Sequence, residues 1–407
     1  MTAVDEGARD NPAEDDAAPR ETHWLARLLG GGDLGPLPVI LGLVVVTIIF
    51  QAASDRFLLP QNIFNLSQQI APVGVLALGI IFVLIIGEID LSAGSVSGVT
   101  SAAMVVLAVH MGWDPVLAVV AAIAFGAAIG LFHGLIFTKL GVPSFVLTLG
   151  GLLAWQGAQL MVLGNAGTIN LPYDGIIASV ATTVLPAWVG YLIAAGYLAV
   201  SLAVIAHTAR KRRQRNLPPR PLTGRLAVAV AIAALIVAAT TIFSLWRGIS
   251  LLFMIFLVLV TLVDILLSTT KFGRKLFAVG GNAEAARRAG IEVDRVKVVA
   301  FVLCSSFAAL AGILVASRLS AVNQASGGNE MLLNAIAAAV IGGTSLFGGR
   351  GAGYSALLGM LVIGAVSNGM DLLNQQSDVK YIITGIVLVA AVVIDSVARR
   401  GRRTGSR

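Results

Sequence analysis

Residues 70–95 read IAPVGVLALGIIFVLIIGEIDLSAGS. No charge occurs from Ile70 to Gly87, a run close to the ~20 residues needed to cross a ~30 Å hydrocarbon core. Lipid offers no partner for free N–H and C=O groups, so such a run must fold as a helix. Comparable runs recur at roughly 37–53, 70–87, 91–110, 115–138, 143–163, 185–206, 226–246, 249–268, 298–316, 331–348, 353–372 and 379–397. The expected fold is all-α, a polytopic transmembrane helical bundle of about 12 crossing segments.

Composition agrees. Hydrophobic types make up 57% of the 407 residues and charged types 12%, about half the charge of an ordinary soluble domain. This excludes a soluble domain, a disordered chain and a coiled coil. Cys304 is the single cysteine, so no intrachain disulfide can form. The histidines at 23, 110, 133 and 207 have no metal-ligand spacing, so no metal site is expected. Many glycines (45) with few aromatics (6%) suit close packing of membrane helices.

The net charge of +7 does not point to nucleic acid, because the basic residues form no face. They collect in 210–225, in 271–297 and in a tail with Arg399, Arg400, Arg402, Arg403 and Arg407. With twelve crossings and an inside N-terminus, all 28 Lys and Arg fall inside except Arg56, Arg247, Arg318 and Lys380. That asymmetry predicts a plasma-membrane protein with both termini cytoplasmic. The expected organisation is an acidic disordered tail at 1–36, a transmembrane domain at 37–397 with a cytoplasmic loop at 269–297, and a basic tail at 398–407.

Three segments carry chemistry. In GEIDLSAGS (87–95), Glu88 and Asp90 sit between apolar runs, where charge is costly and usually functional. The spacing predicts a helix break beside a solute path, with Asp90 or Ser92 capping the next helix. In NAEAARRAG (282–290), Asn282 reads as an N-cap, Glu284 as a first-turn acid, Arg287 and Arg288 as last-turn bases, and Gly290 as the C′ residue. The Ala face of this short helix could fit a partner's groove. From 327 to 353 small residues dominate, and Asn334, Thr344 and Ser345 are candidates to face a path. Residues 86–94 also align weakly with 341–349, pairing Ile86-Gly87 with Ile341-Gly342; paired glycine-interrupted segments point to a transport path.

No GxxxxGK[ST] sequence is present, so ATP is not bound through a P-loop on this chain. No GxSxG or HExxH motif occurs. His133 and Asp264 read as satisfied interior polar groups rather than a proton relay.

GEIDLSAGS (87–95), VPSFVLTLG (142–150), GGNAEAARRAGI (280–291) and AIAAAVIGGTSLFGG (335–349), in this order, resemble the permease subunits of bacterial ABC monosaccharide importers of the ribose and xylose type. The resemblance runs from about 37 to 397. It implies a non-enzymatic subunit that provides the translocation path for a monosaccharide, with xylose or another pentose first. It implies four partners: an ATP-binding subunit with tandem nucleotide-binding domains, an extracytoplasmic sugar-binding protein, a second copy of the chain and the lipid bilayer. ATP and Mg would sit on the partner, with no cofactor on this chain. Asn282, Glu284, Arg287, Arg288 and Gly290 fall on the family's coupling helix, which docks on the ATPase. Glu88, Asp90, Ser92, Asn334, Thr344 and Ser345 are the path candidates. Three apolar segments at 185–268, where shorter members have one, resemble the xylose-type permeases and predict a peripheral extra pair. GGNEMLLN at 327–334 replaces a GYEL-like sequence, with Glu330 in the acidic position.

Two other classes fit parts of the pattern. One is a nucleoside or branched-chain amino acid ABC permease. The other is an ion-coupled secondary transporter using Glu88, Asp90 or Asp264, which would work without an ATPase.

Overall fold

The computed structural model describes residues 37–215, 222–386 and 389. The tails expected at 1–36 and 398–407, and most of the last apolar run, lie outside the described residues. The helices are α1 Leu37–Ala53, α2 Pro60–Ile85, α3 Ala93–Val105 with a π-helical continuation Val106–His110, α4 Pro115–Leu140, α5 Ser144–Leu163, α6 Ile176–Thr182, α7 Ala187–Gln214, α8 Leu222–Ser244, α9 Leu251–Thr269, α10 Lys271–Gly281, α11 Ala283–Arg288, α12 Val293–Leu319, α13 Asn329–Ile341 and α14 Gly353–Leu372. Residues 377–386 are helical as well. Two small antiparallel ladders join loops: β1 Thr168–Asn170 with β4 Ala321–Asn323, and β2 Val184–Leu185 with β3 Ile249–Ser250.

Among the described residues, nine helices are long and apolar enough to cross a membrane. α1 and α13 are shorter, at 17 and 13 residues. The protein is a multi-pass helical bundle; the count of twelve crossings changes at α13. The run expected at 331–348 is one helix only to Ile341, which gives it about 20 Å at 1.5 Å per residue. The glycine pair at 342–343 ends it, so Thr344 and Ser345 belong to a turn and not to a path-lining helix. The ladders, α6 and the amphipathic α10 have too short a pattern to be read from hydropathy.

α2 is the hub. It is apolar all round because it is buried all round, without interruption from Gly74 to Ile85. It packs on α9, α12, α13 and α14. α7 packs chiefly on α8, which reaches the bundle through α2 and β3, so this pair lies at the periphery as expected of an extra pair.

The tightest seam runs between α4 and α12. Gly126, Gly130 and Gly134 recur every four residues and form a stripe on one face of α4. A Cβ at Gly126 would lie 2.8 Å from the Ser305 carbonyl oxygen, and one at Gly134 2.9 Å from the Val298 Cα. Gly130 sits closer still, against the Phe301 carbonyl. Apolar side chains gain little by leaving lipid for each other, so this close backbone approach is the source of adhesion.

Gly130→Leu should therefore overpack the seam and cost about 1–3 kcal/mol. Gly157 on α5 has nothing within 4 Å of its absent Cβ, and Gly157→Ala should leave stability equal or higher. Thermal unfolding in detergent, followed by size-exclusion chromatography, separates the two variants.

Candidate functional site

The site is built from helix ends. α2 stops in a Schellman turn: Gly87 takes φ 80°, its N–H donates to the Leu84 carbonyl, and the Glu88 N–H donates to the Val83 carbonyl. α13 stops the same way, with Gly343 at φ 104°, its N–H on Val340 and the Thr344 N–H on Ala339. The weak repeat is thus a repeated geometry, but its register is corrected by one residue. Gly87 corresponds to Gly343, because only the C′ position needs positive φ, whereas Gly342 has φ −67°. Two adjacent glycines made this shift invisible to alignment.

The loop that follows the α13 turn meets the α2 turn and the end of α10. The Gly349 N–H donates to the Ile85 carbonyl at 2.8 Å. A Cβ on Gly348 would lie 3.0 Å from the Gly87 nitrogen and 2.7 Å from the Gly280 oxygen. Gly280 belongs to the end of α10, two residues before Asn282. Backbone from 85–88, 280–282 and 348–350 therefore converges on one junction with no side chain between.

Asn282 leaves that junction as an N-cap, accepting from the Ala285 N–H at 2.9 Å. α11 closes in a third Schellman turn, with the Gly290 N–H on Arg287, the Ile291 N–H on Ala286 and Gly290 at φ 80°. Glu284 pairs with Arg288 at 3.2 Å and Arg287 at 3.7 Å, and Arg287 also reaches Asp294 at 3.6 Å. Ala286 is buried against the chain itself, so the expected Ala face is not wholly free. The outward face carries Glu284, Ala285, Arg287 and Arg288.

The carboxylates of the first break are engaged rather than free. Glu88 Oε1 accepts from Lys297 Nζ at 2.9 Å and Oε2 from Ser144 Oγ at 2.7 Å; the two charged side chains are only 20% and 19% exposed. The Lys297 ammonium also lies 4.5 Å from the Phe137 ring centroid. Asp90, 2% exposed, accepts through Oδ1 from the Ser92 N–H at 2.9 Å and the Ser92 hydroxyl at 2.5 Å. Its Oδ2 has no nitrogen or oxygen partner, and the Cys304 thiol faces this carboxyl.

Trp155 Nε1–H donates to His133 Nε2 at 3.1 Å, which leaves Nδ1–H to meet Ser92 Oγ at 3.4 Å. Sequence reading missed this Asp90–Ser92–His133–Trp155 chain because its members lie on different elements. It also missed Lys297 and Ser144. Asp264 Oδ1 accepts the Gly353 N–H at 3.1 Å and so caps α14 from α9.

Thr344 and Ser345 are buried in the second turn. Asn334 lies apart from the other five path candidates. It lines a cavity of about 340 Å³ at the opposite end of α13, with Asn329, Glu330, Leu333, Ser367, Lys380, Tyr381, Thr384 and Gly385. α13 thus has the junction at one end and the cavity at the other. Among the described residues, no group of three or more His, Cys, Asp or Glu is placed to hold a metal ion.

Comparison with known proteins adds to this geometry. Residues 62–392 match the family described as branched-chain amino acid transport system / permease component. The chain belongs to this permease family. The permease is 34% identical over 364 residues to the xylose transport system permease protein XylH of Escherichia coli strain K12, covering 89% of this chain and 92% of that one. It is also 34% identical to the protein of that name from Haemophilus influenzae, over 88% of this chain and 95% of the relative. It is 33% identical to the ribose import permease protein RbsC of Bacillus subtilis, over 89% and 92%. No solved structure matches the permease.

The Glu88–Lys297 pair ties the first break to α12, just beyond α11. Lys297→Ala should leave a half-buried carboxylate unpaired and lower stability by about 3 kcal/mol. Glu88→Lys combined with Lys297→Glu should recover part of that loss. Thermal melts of the wild type and these two variants in detergent show whether the pair contributes and whether reversing it restores the loss.

Proposed function

We propose that this chain is the translocation subunit of an ATP-driven importer for a neutral monosaccharide, with a pentose such as xylose first. The observation that carries the reading is the junction of both helix breaks with the backbone leading into α11, taken with the xylose and ribose permeases among its relatives. In this reading two copies of the chain enclose the path, and an extracytoplasmic binding protein delivers the sugar. An ATP-binding subunit with tandem nucleotide-binding domains, carrying ATP and Mg, docks on α11. This chain makes and breaks no covalent bond.

The mechanism follows from stiffness and differential contact. A helix capped at both ends is preformed and loses little entropy on docking. Its exposed arginines can make charge-assisted bonds to carboxylates on the partner. When the partner changes state, a displacement of Asn282 acts on backbone that touches both breaks. ATP binding shifts the access equilibrium only to the extent that the partner binds one state better. Asn334 belongs to the path, while Glu88, Asp90, Ser92, Thr344 and Ser345 hold the turns that move. The ion-coupled alternative is disfavoured because Glu88, Asp90 and Asp264 each hold a structural hydrogen bond.

Arg287→Glu with Arg288→Glu should abolish co-purification of the ATP-binding subunit and sugar-stimulated ATP hydrolysis, while the chain still folds and inserts. Gly290→Val should weaken both by forcing a β-branched residue into a left-handed backbone. Normal assembly and hydrolysis in the double variant would remove α11 from the coupling role.

Both termini and the basic block at 207–225 are cytoplasmic in this reading. Arg215→Cys in a Cys304→Ala background should stay unlabelled by a membrane-impermeant thiol reagent in intact cells and react after lysis. Labelling in intact cells would invert the topology.

A further inference from the structure

The cavity at the N-terminal end of α13 is chemically out of keeping with the chain around it. In a sequence with 12% charged residues, seven of its nine lining residues carry a polar group, Glu330, Asn334, Ser367, Lys380, Tyr381 and Thr384 among them, set in a lining that is otherwise mainly carbon. A crevice that faced lipid would not gather such groups. Glu330 and Asn334 are one helical turn apart, so both present the same face of α13. The volume of about 340 Å³ lies within the ~300–1,000 Å³ range of small-molecule sites.

The charges are arranged unequally. Lys380 is bound to Asp371, so its ammonium is neutralised where it stands. Glu330 has no ion-pair partner among the described residues, and Tyr381 Oη donates to its Oε2 at 3.3 Å. The second oxygen remains available as an acceptor. A carboxylate oxygen, a carboxamide that both donates and accepts, and two hydroxyls can satisfy a ring bearing several hydroxyl groups. The Tyr381 ring offers an apolar face for the C–H side of such a ring. An anionic ligand would meet the unneutralised Glu330 carboxylate at close range.

We propose that this cavity is a binding site for a neutral polyhydroxyl ring, with Glu330 and Asn334 as its hydroxyl-reading groups and the Glu330 charge as its filter against sugar acids and sugar phosphates. The proposal rests on the importer reading and deepens it: it names the site and the ligand class accepted there.

The test reads occupancy directly. Ser367→Cys and Thr384→Cys, each in a Cys304→Ala background, are assembled with the ATP-binding subunit in lipid nanodiscs, where both faces are accessible. Each cysteine is reacted with a cationic and an anionic methanethiosulfonate reagent. The cationic reagent should react several-fold faster, and adding Glu330→Gln should bring the two rates together. D-xylose should slow the reaction several-fold in a saturable way, and D-xylonate should not. Asn334→Leu should remove the protection. Tyr173→Cys, on an exposed turn away from the cavity, should respond to neither sugar.

Equal reagent rates, or xylose protection no greater than at position 173, would overturn the site. Uptake of labelled xylose and ribose by wild-type proteoliposomes separates the two failures. Uptake without protection overturns the site and leaves the importer reading standing; no uptake of either sugar overturns both.

Discussion

A helix that stops inside a protein leaves its last carbonyls without partners, and lipid cannot supply them. The architecture of this permease follows from how that demand is met at the ends of α2 and α13. Both helices wind their last carbonyls into Schellman turns, and the loop that follows the α13 turn lies against the end of α2 through the Gly349 N–H and the Ile85 carbonyl. Irregular backbone is tolerated there because protein surrounds it. The α2 turn, the loop at 347–349 and the end of α10 are in such close backbone contact that none can shift without pressing on the others.

Stiff elements carry the consequence outward. α2 is gripped chiefly by four other helices and is fixed by the rest of the bundle. α13 is short; the loop that follows it reaches the junction, and its N-terminal half lines the cavity. In the proposed reading, a helix of about 20 Å with different chemistry at its two ends would link solute contact to α11 without a long chain of side-chain contacts. The pair Glu88–Lys297 and the cap Asp264–Gly353 hold the neighbouring elements in register, so carboxylates in the apolar run are structural ties here.

Much of this was legible in the sequence, for identifiable reasons. Apolar run length gave the helical class and most helix positions, because a hydrocarbon slab imposes a single length scale. The caps of α11 were legible at Asn282 and Gly290 because capping is local chemistry. The break at Gly87 was legible from charge. What was not legible depended on packing across the chain. The register of the repeat turned on which of two adjacent glycines adopts positive φ. Lys297 looked like part of a basic loop until α12 brought it to Glu88, and the Asp90–His133–Trp155 chain joins residues from three elements. The glycine stripe at 126, 130 and 134 was readable by its spacing of four, a signal that a count of glycines hides.

The junction is made of main chain. Gly87, Gly280, Gly348 and Gly349 meet through peptide groups, so its shape is set by the absence of side chains and not by any choice among them. The cavity is the reverse, a surface whose character lies wholly in side chains. With the proposed site, selection acting on solute preference can rewrite Glu330, Asn334 or Tyr381 while the glycine junction stays untouched. A lineage built this way can change its cargo by a few substitutions and keep one motor. A substitution at any junction glycine, by contrast, would be felt whatever solute the protein carried.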